Sequence, residues 1–375
     1  MREHVATAVP FLDLAPMHEP VKQPILEAVA ELFESNAFIN GPAVAEFEQA
    51  FATYCERNLS VGLASGLDAL KLALLAGGIE RGDEVLVPAN TFIATFEAVS
   101  QAGGKPVVVD VTEDDLNIDV GACEAALTPR TRFLMPVHLY GQLADMRALG
   151  ELAERRRLEI VEDAAQAHGA TRDGLRAGAS GLAGCFSFYP GKNLGALGDA
   201  GALVTDDEGL AERARALREH GQRAKYHHDL EGFTARLDTI QALALLRKLP
   251  LLDAWNEERR AVARFYTHSL EGVGDLRLPL VPDGSEPVWH LYVIRTADPA
   301  GLAQFLAERG VGSGRHYPQP VHLSPAYASL SYVRGSFPVT EELADRVLSL
   351  PVFPGLAEEQ LDAVVGAVRD FFVRG

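Results

Sequence analysis

Cysteine is scarce in this 375-residue sequence, and no spacing typical of metal ligands is present. The three cysteines, Cys55, Cys123 and Cys185, are far apart, with no Cys-x-x-Cys pair and no Cys/His ligand pattern. The sequence therefore indicates neither a disulfide framework nor a zinc site. Cys185 lies in an apolar run, and we expect it to be a small core residue.

Long hydrophobic segments and positive charge are also lacking. No run approaches the roughly 18 apolar residues of a membrane-spanning helix, and the N-terminus, MREHVATAVPFLDLAP, has no apolar stretch typical of a signal peptide. Lysine and arginine number 34 against 52 acidic residues, which gives a formal net charge of −18. Such an acidic surface disfavours nucleic acid and anionic membranes as partners. The sequence predicts a cytoplasmic protein.

Short apolar segments alternate with helical patterns between about residues 60 and 205. The segments are EVLVPA (84–89), PVVVDV (106–111), RFLMPVHLY (132–140) and LEIVEDAA (158–165). This pattern predicts an α/β fold with a mostly parallel sheet and helices on both faces. Because ligands bind beyond the carboxyl ends of such strands, we expect the site at residues 90–92, 138–141, 163–168 and 187–193.

The pattern of apolar and polar residues changes after about residue 240, where the regular alternation of strand-like and helical segments ends. Long helical patterns are interrupted at Pro250, and they are followed by a strand-like HLYVIRT (290–296) and two further helical segments. We predict a large domain over residues 1–250 and a smaller α+β domain over residues 251–375.

Two local patterns suit a flat, anionic ligand. In ASGLDALKLAL, Ser65 and Gly66 precede a helix whose first N–H groups could bind an anion, although an ordinary capped helix has the same pattern. In PANTFIATFEA, Thr91 and Phe92 follow a strand, and Phe92 could either stack on a planar ring or belong to the core.

Two further patterns carry charge. IVEDAAQAHGA ends a strand at Glu162 and Asp163, and a buried carboxylate there needs a cation, which a pyridinium nitrogen or a salt bridge would provide. SFYPGK places Ser187 five residues before Lys192, where a hydroxyl and an amine could reach a phosphate and an aldehyde. A solvated surface lysine is the alternative.

The four patterns together match pyridoxal 5′-phosphate (PLP). The phosphate of PLP needs N–H and hydroxyl donors, and its ring nitrogen needs an acidic partner that keeps the ring an electron sink. Its aldehyde needs a lysine whose pKa is lowered by desolvation or by a nearby cation. We therefore predict a PLP site, with no metal.

Longer motifs resemble a known family over nearly the whole chain. The segments VHLYGQLADM, VEDAAQAHGA, FSFYPGKNLGALGDAGALVT, RLDTIQA, HYPQPVHLSPAY and VLSLPVFPGL look like the PLP-dependent DegT/DnrJ/EryC1/StrS sugar aminotransferases. The nearest branch uses L-glutamate to install a 3-amino group on dTDP-3-oxo-6-deoxyhexoses. The resemblance implies the aspartate-aminotransferase fold, called PLP fold type I, and a homodimer with both active sites at its interface.

The resemblance also assigns roles around the ring of the cofactor. Lys192 would form the Schiff base with the aldehyde and act as the general base. Asp163 would pair with the pyridine nitrogen, and Gln166 would contact the ring hydroxyl. Phe92 would stack on the ring face.

The phosphate contacts implied by the resemblance are Ser187 and the backbone at Gly66 and Leu67. The family often has threonine where Leu67 stands, although the 3-amino branch has an apolar residue there. Where Thr234 stands, the family usually has an asparagine that reaches the phosphate across the dimer interface. Thr234 stays a candidate phosphate contact, through its single hydroxyl or, since threonine is shorter, through a bridging water.

The diphosphate of a nucleotide sugar requires local cations on so acidic a chain. Candidate substrate-binding residues come from QRAKYHHDLEG, GFTARLDTIQA and GRHYP: Lys225, Tyr226, His227, Arg236, Arg315, His316 and Tyr317. The segment around Lys225 could equally be an ordinary exposed loop.

Three other functions stay open. A related PLP-dependent sugar dehydratase has histidine in place of the lysine, so Lys192 disfavours it. The acceptor could instead be a 4-oxo nucleotide sugar or a cyclitol ketone. The third alternative is a non-catalytic homologue that binds PLP and regulates a partner. The replacement of the family's asparagine by Thr234 is the one sequence feature that favours it.

Overall fold

Fourteen strands and thirteen α-helices are found over residues 8–374, the part of the chain that the computed structural model describes. Residues 1–7 and 375, which fall within the predicted domain ranges, lie outside the described residues. The strands are β1 (Leu59–Leu63), β2 (Glu84–Pro88), β3 (Lys105–Val109), β4 (Thr131–Leu134), β5 (Glu159–Asp163), β6 (Thr171–Arg172), β7 (Leu175–Arg176), β8 (Ala183–Ser187), β9 (Gly201–Thr205), β10 (Gln222–Ala224), β11 (His227–His228), β12 (Ser285–Glu286), β13 (Tyr292–Arg295) and β14 (Val347–Leu350). The helices are α1 (Ala15–His18), α2 (Lys22–Ser35), α3 (Pro42–Tyr54), α4 (Gly66–Ala76), α5 (Ala94–Gln101), α6 (Val120–Ala126), α7 (Met146–Arg156), α8 (Glu208–Arg218), α9 (Thr239–Lys248), α10 (Leu252–Leu270), α11 (Pro299–Ala307), α12 (Pro338–Arg346) and α13 (Glu358–Arg374).

The main sheet has seven strands in the order β1-β9-β8-β5-β4-β2-β3. The pairings from β8 through β5, β4 and β2 to β3 are parallel, whereas β9 runs antiparallel to β8 and to β1. β1 therefore has the same direction as the parallel strands. The carboxyl ends of β1, β2, β5 and β8 meet at one edge of the sheet, which is where such a sheet binds ligands.

Side chains of the main sheet alternate between two apolar cores, one on each face. Val85 and Val87 pack with α4, α5 and α8, whereas Leu86 packs on the opposite face with α3, α6, α7 and α9. Period-two alternation in a strand that is buried throughout is the pattern of a sheet covered on both sides. Cys185 is 1% exposed and lies in the core with α4, as predicted.

One predicted strand is shorter than expected. The segment 132–140 contributes only β4, which ends at Leu134. Pro136 has no N–H to donate to a strand ladder, and the chain beyond it leaves the sheet. A single bridge between Val137 and Asp163 keeps this departing segment beside the end of β5.

The C-terminal region has an apolar core of its own. Helices α10, α11 and α13 pack around the antiparallel pair β13 and β14. Val9 also packs in this core and pairs with Val311, so the N-terminal segment contacts the C-terminal region. Pro250 lies in a 3₁₀ turn between α9 and α10, as predicted. The division into two domains at this turn stays a prediction.

No helix within residues 8–374 combines the length and the apolar character needed to cross a membrane.

Candidate active site

A cavity of about 550 Å³ opens at the carboxyl edge of the main sheet. Its walls come from the segments after β1, β2, β5 and β8, together with residues near β13 and the N-terminal segment. Nine of the residues predicted from the sequence line it: Gly66, Leu67, Phe92, Asp163, Gln166, Ser187, Lys192, His316 and Tyr317.

Asp163 places a buried carboxylate on the cavity at the end of β5. Its Oδ2 accepts a hydrogen bond from Thr95 Oγ1 at 2.8 Å, and its Oδ1 accepts one from the backbone N–H of Ala165 at 3.2 Å. Burial raises the pKa of Asp163, and these two hydrogen bonds act in the opposite direction. No lysine, arginine or histidine of the described chain lies within ion-pair distance of it. The carboxylate is therefore available to a cationic ligand, and an internal salt bridge does not explain it.

Lys192 is half-buried in the turn after β8, where its backbone N–H donates to the carbonyl of Tyr189 at 2.8 Å. Burial lowers the pKa of Lys192 to about 8, while the charge of Asp163 acts in the opposite direction. A substantial fraction of its amines is therefore neutral near pH 8. A neutral amine in a cavity can attack a carbonyl or accept a proton.

The first turn of α4 forms a place for an anion. Ser65 caps the helix by accepting a hydrogen bond from the N–H of Asp68, and the N–H groups of Gly66 and Leu67 belong to the first turn, where the helix offers no acceptor. Ser187 lies beside them, and a Cβ atom on Gly66 would be 2.6 Å from the Cβ of Ser187. Only glycine lets the two backbones approach so closely. These donors suit a phosphate.

Two aromatic side chains and one amide shape the cavity wall. Phe92 is 52% exposed, and its ring centroid lies 5.6 Å from that of Tyr317. Gln166 accepts a hydrogen bond from the N–H of Tyr140 at 2.7 Å and donates one to the hydroxyl of Tyr317 at 3.1 Å. The core alternative for Phe92 does not hold, because the exposed ring lines the cavity and offers a face to a planar group.

Glu162, next to Asp163 in the chain, points away from the cavity and has a structural role. Its Oε2 accepts hydrogen bonds from His138 at 2.7 Å and from the N–H of Gly178 at 2.9 Å, and its Oε1 accepts one from the N–H of Ser180. The N–H of Ala144 donates to Nδ1 of His138, so the proton of this imidazole is on Nε2. Neighbouring carboxylates on β5 thus serve opposite faces of the sheet.

Five of the predicted residues lie outside the cavity that this single chain forms. Lys225, Tyr226 and His227 lie on the exposed hairpin of β10 and β11, where Tyr226 is 78% exposed. Thr234 is exposed, and its hydroxyl is 3.2 Å from Nε2 of His220. Arg236 forms an ion pair with Glu219 at 2.9 Å. Their contacts with cofactor or substrate stay predictions.

Arg315 also lies outside the cavity, although it directly precedes His316. Its guanidinium donates to the carbonyl of Val347 at 3.3 Å and to the carbonyl of Ala344, at the C-terminal end of α12. The last carbonyls of a helix carry partial negative charge, which a guanidinium stabilises. The structure thus gives Arg315 partners within its own chain, and its predicted substrate contact stays untested.

Several residues of the cavity were not predicted. Phe11 stacks on His316 with 5.6 Å between ring centroids. His290 accompanies Lys192 in the lining, and burial holds its pKa well below the usual range. The oxygen of Asn193 lies 3.2 Å from Nδ1 of His290. The motif PVWHLYVI contained a signal for this histidine, because His290 begins the strand-like segment HLYVIRT.

A sequence model described as the DegT/DnrJ/EryC1/StrS aminotransferase family matches residues 20–369. Among curated relatives, a dTDP-3-amino-3,4,6-trideoxy-alpha-D-glucose transaminase of Streptomyces venezuelae is 49% identical over 98% of this chain and 97% of its own length. The erythromycin biosynthesis sensory transduction protein EryC1 of Saccharopolyspora erythraea is 47% identical over 96% of this chain and 99% of its own.

Solved structures agree with the fold. S. venezuelae DesV in complex with a ketimine intermediate superposes with a TM-score of 0.96 at 49% identity, covering 98% of this chain and 99% of that one. NtdA of Bacillus subtilis with bound cofactor PMP has a TM-score of 0.91 at 31% identity, covering 100% of this chain and 87% of that one. The predicted fold class, PLP fold type I with a mostly parallel sheet, is confirmed.

Proposed function

The chain belongs to the DegT/DnrJ/EryC1/StrS aminotransferase family, and from this premise we propose that it transfers an amino group from L-glutamate to the keto carbon of a dTDP-linked 3-oxo-6-deoxyhexose. The product is a dTDP-3-amino sugar. The observation that carries the proposal is that Lys192 and Asp163 line one cavity together with the N-terminus of α4. The choice of acceptor is supported by 49% identity to the transaminase of S. venezuelae over nearly the whole chain.

PLP is the cofactor of this family, and the residues of the cavity fit it. When bound, PLP supplies an aldehyde that takes up the amino group and a ring that withdraws electrons from the reacting carbon. Asp163 would hold the ring nitrogen, since it is a buried carboxylate with no lysine, arginine or histidine of the described residues within ion-pair distance. Gln166 would hold the ring hydroxyl, and the exposed face of Phe92 would cover the ring. Lys192 would hold the aldehyde covalently through Nζ.

The phosphate would be held by uncharged donors. The N–H groups of Gly66 and Leu67 and the hydroxyl of Ser187 lie side by side, and the N-terminus of α4 favours negative charge there. Thr234 would contribute only from a second subunit, since it lies outside the cavity of its own chain.

Lys192 would move the proton in both halves of the reaction. Its Nζ would take the proton from Cα of glutamate and pass it to the cofactor in the first half, and it would return a proton from the cofactor to the sugar carbon that bears the new amino group in the second. A pKa of about 8 suits both tasks, because the same group must accept and release a proton near neutral pH. Burial, the main cause of this value, comes from the fold itself.

We propose that the working unit is a homodimer. Leu26, Phe33, Phe38 and Ile39, which we call the α2 patch, are between 42% and 66% exposed. Phe33 and Phe38 form an edge-to-face pair with 5.6 Å between ring centroids. Exposed apolar side chains grouped in one segment of the chain are typical of an interface.

The dimer would also complete the substrate site. Lys225 and Arg236 lie outside the cavity of their own chain. A nucleotide diphosphate needs several cations, but Lys192 is the one lysine or arginine among the described residues that line the cavity, which also include the acidic residues Glu97 and Asp199. Cations from a second subunit would meet this need.

An acceptor screen tests the proposed function. The purified protein is incubated with PLP, glutamate and either a dTDP-3-oxo- or a dTDP-4-oxo-6-deoxyhexose, and products are identified by mass and NMR. We expect a 3-amino product from the 3-oxo sugar. Amination of the 4-oxo sugar alone would overturn the proposed acceptor while leaving the aminotransferase reaction in place.

A regulatory, non-catalytic role is a second candidate, because a relative 47% identical is called a sensory transduction protein and because Thr234 stands where the family resemblance implies an asparagine. The two candidate functions predict different responses of the visible absorption spectrum to glutamate. The visible absorption band of the PLP-loaded protein bleaches on addition of glutamate if the protein is an aminotransferase. A band that no amino donor changes would favour the regulator.

A further inference from the structure

Two buried threonines form a hydrogen-bonded chain that ends on Asp163. Thr91 Oγ1 lies 2.7 Å from Thr95 Oγ1, which lies 2.8 Å from Oδ2 of Asp163. Thr91 is 2% exposed and Thr95 is fully buried. A hydroxyl has one proton, and an ionised carboxylate only accepts. Thr95 therefore donates to Asp163 and must accept from Thr91, so both protons point toward the carboxylate.

The hydroxyl of Thr95 is used in an unusual way for a helix. Threonine in a helix commonly donates to a backbone carbonyl one turn earlier. Thr95 lies in the first turn of α5 and instead donates to the carboxylate of Asp163 at the end of β5, 68 positions along the chain. A buried donor aimed at a cavity carboxylate both orients that group and favours its charged form.

We propose that Thr95 is a positioning residue, which together with Thr91 keeps the Asp163 carboxylate in the orientation and the ionised form needed to hold the ring nitrogen of PLP. The inference rests on the proposed role of Asp163. Thr95 itself does not line the cavity, so it acts through Asp163. The N–H of Ala165 is the second donor to the carboxylate, which leaves Oδ2 dependent on Thr95 among the described residues.

The test compares variants of the full-length protein, freed of cofactor and titrated with PLP labelled with ¹⁵N in the ring. Thr95→Val keeps the shape and removes the hydroxyl, and Thr95→Ser restores it. Thr205→Val is the matched control, because Thr205 is also fully buried and donates to the carbonyl of Leu182 away from the cavity. The readouts are the Kd for PLP and the ¹⁵N chemical shift of the ring.

We expect Thr95→Val to weaken PLP binding on the order of tenfold, as the loss of a hydrogen bond to a charged group implies, and to move the ¹⁵N shift toward the value of an unprotonated ring. Thr95→Ser and Thr205→Val should keep the wild-type Kd and shift. Wild-type values for Thr95→Val would overturn the inference, whereas failure of the wild-type protein to bind PLP would overturn the assigned site. If Thr95→Val does not fold, Thr91→Val replaces it, with about threefold weaker PLP binding expected and an unchanged Kd contradicting the inference.

Discussion

A Cβ atom added to Gly66 would lie 2.6 Å from the Cβ of Ser187. The first turn of α4 therefore packs against the end of β8 so closely that no side chain fits at position 66. We predict that Gly66→Ala weakens PLP binding by about tenfold or more, because one of the two phosphate-binding segments must move, at a cost of about 1–3 kcal/mol. The Kd is measured by titrating cofactor-free protein. Gly150→Ala is the control, since a Cβ there meets nothing within 4 Å and favours helix α7. Equal PLP affinities for the two variants would contradict the proposed phosphate site.

Asp163 and Glu162 should respond in opposite ways to substitution. We expect Asp163→Asn to fold with near wild-type stability and to lose nearly all aminotransfer, because no cation of the described residues forms an ion pair with its carboxylate, which is proposed to hold the cofactor. Glu162→Ala should lower the free energy of unfolding by about 3 kcal/mol, because three donors, two of them buried, lose their acceptor. Denaturant unfolding and product formation are measured for both. A stable, inactive Glu162→Ala beside an unstable, active Asp163→Asn would reverse the assignment.

The pKa of Lys192 predicts how cofactor uptake depends on pH. The ordinary value for lysine is 10.5, and burial lowers that of Lys192 to about 8. Since only the neutral amine attacks an aldehyde, the rate of PLP uptake should rise about tenfold per pH unit well below pH 8 and level off above it. Stopped-flow absorbance on cofactor-free protein records this rate. A rate that keeps rising to pH 10 would show an amine with the ordinary pKa.

The α2 patch can be tested with one charge. Phe33→Lys should shift the protein from dimer to monomer in sedimentation experiments, because a lysine would be desolvated in the interface. Val333→Lys is the control, since Val333 is exposed to the same extent, 66%, and lies outside the patch. A dimer that tolerates Phe33→Lys would place the interface elsewhere.

Arg315 and Lys225 are both predicted to bind substrate, but we expect substitutions at these two positions to affect different properties of the protein. Arg315→Gln should lower the melting temperature and leave the KM for the nucleotide sugar unchanged, because the guanidinium holds the end of α12. Lys225→Gln should raise the KM several-fold at unchanged stability, because the side chain is exposed and would meet the diphosphate only across the dimer. Should Arg315→Gln raise the KM at unchanged stability, the substrate contact predicted from the sequence would be the better account.

The sequence predicted those residues of the candidate site that stand at or just after the end of a strand. Asp163, Ser187 and Phe92 each stand within a few residues of a buried strand, and parallel strands bring such positions to one edge. Thr95 could not be found in this way, because helix periodicity alone does not tell which side chain of α5 reaches Asp163 at the end of β5. Phe11 was missed for a related reason, since its contact with His316 joins segments about 300 positions apart, where no local pattern constrains the pairing.

The fold, like the site, could be predicted from the sequence only in part. Buried runs alternating with helical patterns indicated the parallel sheet, but the reversed direction of β9 was not visible, because GALVT is mainly apolar and would suit either direction. Residues that the proposed second subunit would supply could not be predicted, because the sequence of one chain has no periodic pattern that identifies an interface.

Trapping the cofactor chemically tests the central claim most directly. The PLP-loaded protein is reduced with borohydride, digested, and analysed by peptide mass spectrometry. The account predicts a single stable pyridoxyl modification on Lys192, with none in Lys192→Ala. A modification on another lysine, or no modification on a protein that has bound PLP, would contradict it.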